Sequence, residues 1–204
     1  KLSHIVSRNV ERLERSEILR ATAETASENS VDGVFAPIFW MIVGASLWKV
    51  SLSMPGPLAC AWIFKASSTL DSMIGYKVGK LRWLGKASAH LDDILTWLPA
   101  RLVLVSLPII CKPLKDIPIT IRKAWQDGSR YISPNAGISE AIFAHCSNTK
   151  MGGKSKYGNE IIMKPIIAED SESADIQKIR SILNLVVKLQ LFWIIIILIL
   201  NNII

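Results

Sequence analysis

The sequence predicts an all-α fold, and within that class a multi-pass α-helical integral membrane protein with a polar region that carries the candidate site. Two observations support this class. Half of the 204 residues are hydrophobic, which is a large share for a chain with an ordinary content of charge. These residues are also gathered into long runs, and no segment shows the alternation typical of a half-buried strand. The alternative is a soluble helical domain with a hydrophobic tail.

The first elements are expected to be an amphipathic helix and then an apolar one. Residues 8–28 carry an apolar side chain at every third or fourth position and contain no Gly or Pro, as in an amphipathic helix. Val31, Asp32 and Gly33 are expected to end that helix. The apolar stretch that follows predicts a tilted membrane span over residues 34–52.

The middle of the chain predicts a turn and two further helices. Residues 53–57 are rich in Pro and Gly and predict a turn before a helix over residues 57–73. Residues 87–98 predict another helix, which Pro99 kinks or ends. The overlapping apolar run 94–111 is a marginal membrane span by its length.

Residues 112–180 form a polar region. Within it, residues 119–126 predict a short helix, residues 127–158 are expected to be mostly loop, and residues 169–175 an acidic linker. The region holds eleven Lys and Arg against eight Asp and Glu. An excess of basic residues beside apolar spans is typical of the cytoplasmic side, so the loops of the site are expected there.

The C-terminal segment is the best candidate for a transmembrane helix. Residues 176–204 predict one long helix, in which residues 182–204 exceed the ~20 residues needed to cross a bilayer. We expect a single membrane domain over residues 1–204, located in the cell (inner or plasma) membrane. The chain begins with Lys rather than Met, so we expect an upstream segment to be missing.

Charge and cysteine content narrow the choice of partners. The net charge is +7, which favours contact with lipid headgroups or a phosphorylated substrate. Nucleic acid is not expected, because no basic stripe alternates with aromatic residues. Cys60, Cys111 and Cys146 lie too far apart for a CxxC motif and do not indicate a zinc site.

Carboxylates near the apolar runs are the first candidate site residues. Glu24, Glu28 and Asp32 recur every four residues, so a helix would fan them over one face with Asn29 beside them. Such a set could hold a hydrated Mg²⁺ that also binds phosphate. A solvated helix face is the alternative.

A second group of candidates lies beside the next apolar runs. Asp71 stands in a mostly apolar setting, Asp92 and Asp93 precede the run 94–111, and Arg101 lies within it. Charged groups next to membrane spans are functional candidates, although structural pairing of the same groups is an open alternative.

The segment 133–157 combines turn residues, one carboxylate and bare backbone. It has neither a P-loop nor a GxGxxG spacing. Its glycines would let backbone N–H groups approach a ligand, and its lysines supply charge for phosphate. The candidates there are Ser133, Asn135, Glu140, Gly152, Gly153 and Tyr157.

These motifs resemble the CobD/CbiB family, the adenosylcobinamide-phosphate synthases of cobalamin biosynthesis. The resemblance rests on Ser-Pro-Asn-Ala-Gly at 133–137 with the glutamate and glycines beyond it. Further pieces occur in family order at residues 24–33, 65–66, 69–76, 91–93 and 99–102.

The resemblance implies an ATP-dependent acid–amine ligase that attaches aminopropanol or its phosphate to adenosylcobyric acid. It implies Mg²⁺ and ATP as cofactors, a corrinoid substrate, and membrane lipid and other corrinoid-biosynthesis enzymes as partners. Mg²⁺ would be held by Glu24, Glu28, Asp32 and Asp71. The catalytic set would be completed by Asn29, Asp92, Asp93, Asn135 and Glu140. Substrate or phosphate would be bound by Arg101, Ser133, Gly152, Gly153 and Tyr157.

Several positions depart from the family pattern. His90 replaces a usual Arg, Tyr131-Ile132 replaces His-Pro, and residues 145–148 replace a run of small and apolar residues. These departures leave two alternatives open. The chain could be a degenerate, non-catalytic membrane scaffold, or a membrane transferase acting on a lipid diphosphate.

Overall fold

The computed structural model describes residues 14–74, 82–157 and 160–203. The first half contains α1 Arg15–Ser30, a π-helical turn Val31–Phe35, α2 Ala36–Val50, α3 Pro57–Ile74 and α4 Arg82–Cys111. The second half contains a 3₁₀ turn Leu114–Asp116, α5 Ile117–Gly128, α6 Ala136–Ser147, β1 Thr149–Tyr157, β2 Glu160–Ile167, β3 Glu172–Ser173 and α7 Ile176–Ile203. The chain divides into two compact units. One comprises Val31–Arg101, and the other comprises Leu102–Ile204 with the described part of Lys1–Ser30.

The unit Val31–Arg101 is built on a helical hairpin of α2 and α3. The turn between them is closed by the Trp48 indole, whose Nε1 donates to the Met54 carbonyl at 2.9 Å. The Trp40 Nε1 donates to the Leu95 carbonyl of α4 at 3.1 Å. Large apolar side chains such as Trp62 and Ile63 remain exposed on α3.

The other unit places a buried helix beside a small sheet. Most of α6 is buried, including Ile138, Ile142 and Phe143, and each such side chain contributes roughly 1.5–3 kcal/mol through its burial. β1 is the central strand, antiparallel to β2 and parallel to the short β3. The Trp193 Nε1 of α7 donates to Ser106 Oγ at 3.0 Å.

Three helices among the described residues are long and apolar enough to cross a membrane. They cover Arg15–Val50, Gly85–Cys111 and Ile176–Ile199. The helix Arg15–Val50 has 36 residues and so a length of ~54 Å, well beyond the ~30 Å of a hydrocarbon core. The predicted all-α, multi-pass class is confirmed. Residues 8–13 of the predicted first helix lie outside the described residues.

The predicted helix end at residues 31–33 is wrong, and Pro99 does not end its helix, because the helix passes through both places. Val31–Gly33 does not end the first helix; Pro37 cannot donate to the carbonyl four residues before it, and the helix widens to a π turn there. Pro99 lies inside α4. It frees the Leu95 carbonyl, which the Trp40 indole then satisfies from a neighbouring helix.

The polar region also holds more regular structure than expected. The prediction that residues 127–158 are mostly loop is wrong, because α6 and β1 occupy most of them. The linker 169–175 contains β3. By contrast, the helices predicted over 57–73, 119–126 and 176–204 are confirmed, with small differences at their ends.

Candidate functional site

Lys164 of β2 lies between two buried carboxylates. Its Nζ is 3.3 Å from Glu24 Oε2 on α1 and 3.3 Å from Glu140 Oε1 on α6. Glu24 is 2% exposed and Glu140 is 1% exposed. Buried carboxylates require a cation or hydrogen bonds to remain charged. We call these three residues the Lys164 cluster.

A backbone irregularity in the sheet completes the pairing of Glu24. The Gly152 N–H donates to Glu24 Oε1 at 3.0 Å. Gly152 has a φ of 81°, at the point where the register of β1 and β2 shifts. The Pro165 carbonyl lies against Gly152, and Pro165 has no N–H to contribute to the ladder at this irregularity. The shift thus turns a β1 donor toward α1.

Two residues before α6 fix the start of the helix that carries Glu140. Ser133 Oγ accepts from the backbone N–H groups of Asn135 at 3.4 Å and Ala136 at 3.2 Å. The Asn135 carbonyl accepts from both the backbone N–H and the hydroxyl of Ser139. Asn135 is itself buried. This capping positions Glu140 in the second turn of α6.

The electrostatics of the cluster favour a carboxyl group that holds its proton near neutrality. The pKa of Glu140 is raised to about 7, chiefly by burial; Lys164 opposes the shift, and the charges of Glu24 and Glu28 add to it. Glu140 Oε2 is buried and is not used by the bonds of the cluster to Lys164 and Gly152. The Tyr131 side chain is close enough to interact with this carboxyl group.

Tyr131 covers one side of the cluster. The Lys164 Nζ lies 5.7 Å from the centroid of the Tyr131 ring, within cation–π range. The Tyr131 hydroxyl donates to the Pro165 carbonyl at 3.2 Å. Burial, followed by the Glu140 and Glu24 charges, raises the pKa of this phenol, which therefore stays protonated.

The unit Val31–Arg101 holds a second group of charges. Asp71 is half-buried and interacts electrostatically with Asp93, and Asp93 also interacts with Arg101. The Arg101 guanidinium lies over the Trp97 ring at 4.7 Å and donates to the Trp97 carbonyl at 3.1 Å.

Comparison with known proteins identifies the family. A sequence model of the family described as CobD/Cbib protein matches residues 1–186. The chain belongs to the CobD/CbiB family. No solved structure matches it significantly.

Curated relatives of this CobD/CbiB chain carry names from cobalamin biosynthesis. The cobalamin biosynthesis protein CobD of Yersinia enterocolitica is 41% identical over 184 residues, which cover 89% of this chain and 54% of that protein. The CobD of Synechocystis is 41% identical over 179 residues, covering 88% and 50%. The cobalamin biosynthesis protein CbiB of Salmonella paratyphi A is 38% identical over 188 residues, covering 91% and 54%. The chain spans about half the length of the curated relatives it matches.

The structure of this CobD/CbiB chain divides the predicted site residues between its two units. One unit brings Glu24, Glu140 and Gly152 together, with Glu28 close enough to interact electrostatically. In the same unit, Ser133 and Asn135 lie directly before α6, and Asn29 is exposed on α1. Gly153 follows Gly152 in β1. The Tyr157 side chain lies outside the described residues. The other unit holds Asp32, Asp71, Asp92, Asp93 and Arg101.

The predicted Mg²⁺ set is also divided. Glu24 and Glu28 lie in one unit, and Asp32 and Asp71 in the other. In the part of the chain that the structure describes, no three His, Cys, Asp or Glu side chains form a group that could hold a metal ion. Glu24 is instead occupied by Lys164 and the Gly152 N–H. Binding of Mg²⁺ by the predicted set stays a prediction.

Sequence reasoning missed Lys164 as a site residue of this CobD/CbiB chain. A signal for it exists, because Lys164 is the one charged residue in the apolar run 161–167. A lone charge in a strand-forming run requires a partner. In the sequence, Tyr131 is recognisable only as a departure from the family pattern. Its contact with Lys164 depends on the fold.

Proposed function

We propose that this chain acts in cobalamin biosynthesis as an enzyme, forming an amide between adenosylcobyric acid and aminopropanol or its phosphate with ATP. Membership of the CobD/CbiB family and the names of its relatives support the pathway. The observation that carries the enzymatic role is a buried carboxyl with a pKa of about 7, placed beside a lysine and the Tyr131 side chain.

In this proposal, Glu140 accepts the proton that the amine must lose. An alkylammonium is not nucleophilic until it is deprotonated, and a base with a pKa near the working pH is efficient. The ammonium nitrogen gives a proton to Glu140 Oε2, and its lone pair then forms the new C–N bond. Lys164 keeps Glu140 partly ionised and holds its other oxygen in place.

ATP would supply the phosphoryl group that activates the acid substrate and leaves as phosphate when the amide forms. Because the described residues form no group of three metal ligands, we derive no step through Mg²⁺. Mg²⁺ commonly uses one or two protein carboxylates together with substrate phosphates, so the ion would enter with ATP. Arg101 and the lysines of β1 remain candidates for binding phosphate.

We propose a location in the cell membrane, with the Lys164 cluster on the cytoplasmic side, where ATP is available. The three apolar helices support membrane insertion. The excess of basic residues in 112–180 supports the orientation. Lipid and other corrinoid-biosynthesis enzymes are the proposed partners.

The test is amide formation by the purified protein in detergent. Adenosylcobyric acid, ATP and either aminopropanol or its phosphate are supplied, and corrinoid amide and ADP are measured from pH 5.5 to 8.5. We expect kcat to rise through about pH 7 as Glu140 loses its proton, and Glu140→Gln to reduce it by ~10²–10⁴-fold. Glu169→Gln, at an exposed residue, is the matched control.

Three results would overturn parts of the proposal. Full turnover by Glu140→Gln would show that Glu140 is not the proton acceptor, and the proposed amide-forming reaction would still stand. If the stable wild-type protein forms no amide but His90→Arg does, the chain is the degenerate scaffold. Turnover of a lipid diphosphate in place of the corrinoid would favour the transferase.

A further inference from the structure

A cavity of about 350 Å³ lies at α5, the end of α6 and the turn before β3. Its volume is within the range of small-molecule sites, roughly 300–1,000 Å³. No residue of the Lys164 cluster lines it. The amide-forming proposal therefore leaves this cavity without a function.

An aspartate fixes the histidine that lines the cavity. Asp127 Oδ2 accepts from His145 Nε2 at 2.8 Å and from the Ala168 N–H at 3.1 Å. Asp127 Oδ1 pairs with Arg130. The charge of the Asp127 carboxylate is thus neutralised, and both of its oxygens have hydrogen-bond partners. Because its Nε2 is engaged, the His145 ring has a fixed orientation and Nδ1 as its remaining polar atom.

Two lysines from different elements line the same cavity. Lys112 Nζ donates to Asn148 Oδ1 at 3.1 Å, which holds that ammonium at the wall of the cavity. Lys123 of α5 forms no ion pair among the residues that the structure describes. Burial lowers the pKa of His145, Asp127 opposes this shift, and the charges of Lys123 and Lys112 add to it. Two ammonium donors therefore line the same space as an imidazole whose Nδ1 can donate once it is protonated.

We propose that this cavity binds a phosphate group, held by Lys112, Lys123 and His145. Lysine is a common phosphate ligand as a point charge, and two lysines with an imidazole match the three outer oxygens of a phosphate ester. The exposed carboxylates of Glu169 and Asp170 also line the cavity. Water screens their charges as it screens that of the exposed Lys123, whereas Asp127 is neutralised by its own partners.

The phosphate group has two sources. Lys112 directly follows the candidate membrane span Gly85–Cys111, so an anionic phospholipid headgroup could reach the cavity from the bilayer. A small soluble phosphorylated ligand could reach it from water. The chemistry of recognition is the same for both sources, and the two arms of the test separate them.

The test follows His145 by NMR in a zwitterionic detergent. The chain has three histidines, and the His145 imidazole signal is assigned by its loss in His145→Gln. Inorganic phosphate is titrated in one arm. In the other arm, phosphatidylcholine nanodiscs with and without phosphatidic acid are compared. Phosphate binding should raise the pKa of His145, because an anion favours the imidazolium.

Lys123→Gln should weaken binding by at least about tenfold, as expected for loss of one charge-assisted hydrogen bond. Arg122→Gln removes the same charge from the next residue of α5, which does not line the cavity, and should leave the affinity unchanged. A response to phosphatidic acid alone supports the site and identifies the source as lipid, and a response to phosphate alone identifies a soluble ligand. No His145 response to either probe, or equal weakening by both variants, would overturn the proposal.

Discussion

The backbone N–H of Gly152 donates to Glu24 Oε1 across 3.0 Å, although the two residues are 128 positions apart. The bond joins α1 to the middle strand of the sheet. It depends on the positive φ of Gly152 and on the register shift between β1 and β2. A local deviation in a strand thus determines the surroundings of a buried carboxylate.

Gly152→Ala should destabilise the protein more than Gly153→Ala. Both residues have φ near 80°, a conformation that costs a residue with Cβ roughly 1–2 kcal/mol. A Cβ at Gly152 would also collide with the Pro165 carbonyl oxygen, whereas one at Gly153 would meet Arg20 Nη1 at an ordinary contact distance of 3.8 Å. Thermal unfolding in detergent measures both variants. Equal losses of thermal stability would show that the positive φ alone, and not the contact with Pro165, determines the effect at both positions.

Lys164→Met should destabilise the protein by about 2–4 kcal/mol at pH 8, because it leaves two buried carboxylates without their shared cation. The loss should be smaller at pH 5.5, where Glu140 can hold a proton. Unfolding at the two pH values is compared with that of Lys154→Met, whose side chain is exposed. A loss that does not depend on pH would indicate that Lys164 acts by packing alone.

Glu140 should give the protein a stability that falls as pH rises. Its folded pKa of about 7 exceeds the ordinary value of 4.5, so the folded state binds the proton more tightly. This contribution is fully present below the unfolded pKa and is lost as pH rises from 4.5 to about 7, a change of about 3 kcal/mol. Glu140→Gln should flatten the unfolding free energy over this window. If the unfolding free energy of Glu140→Gln still falls with pH as in the wild type, this pH dependence comes from another group.

The sequence predicted the helices and missed the sheet for identifiable reasons. Helices such as α3 and α7 are recognisable because their apolar runs are long and end near Pro, Gly or charged residues. β1 is short of apolar residues, and alternates lysines with Met151, Gly153 and Ser155. Its apolar face is therefore weak, and its role depends on pairing with β2, which no local pattern reveals.

The structure brings together some of the residues that the sequence singled out. Glu24, Glu140 and Gly152 were expected as site residues, and the fold brings them together; their catalytic roles stay predictions. The bond of Lys164 to both carboxylates could not be derived, because it joins residues up to 140 positions apart.

Trp40→Phe should destabilise the unit Val31–Arg101 by about 1–2 kcal/mol, because it leaves the Leu95 carbonyl without a donor. Pro99 has no N–H to replace the lost bond. Trp62→Phe is the control, since the Trp62 side chain is 65% exposed and should change stability by less than about 0.5 kcal/mol. Thermal unfolding of the two variants measures this difference in stability. Equal stabilities would show that the carbonyl finds another partner.

Asp71→Asn and Asp93→Asn should have different effects on folding. Asp71 experiences Asp93 as a like charge, so its neutralisation should keep or raise the unfolding temperature. Asp93 also interacts with Arg101, and its neutralisation should lower the unfolding temperature. The amide-forming assay is run on both variants. A stable Asp71→Asn protein with normal turnover would remove Asp71 from the catalytic set.

The long separation between Glu24 and Lys164 has a consequence for the nascent chain. Synthesis of the 140 residues between them takes roughly 7–28 s at ~5–20 residues per second. Throughout that interval Glu24 lacks Lys164, and Arg20, one turn earlier on α1, is the cation beside its carboxylate. A ribosome stalled before position 164 would therefore hold a helix whose Glu24 depends on Arg20 and water in place of Lys164.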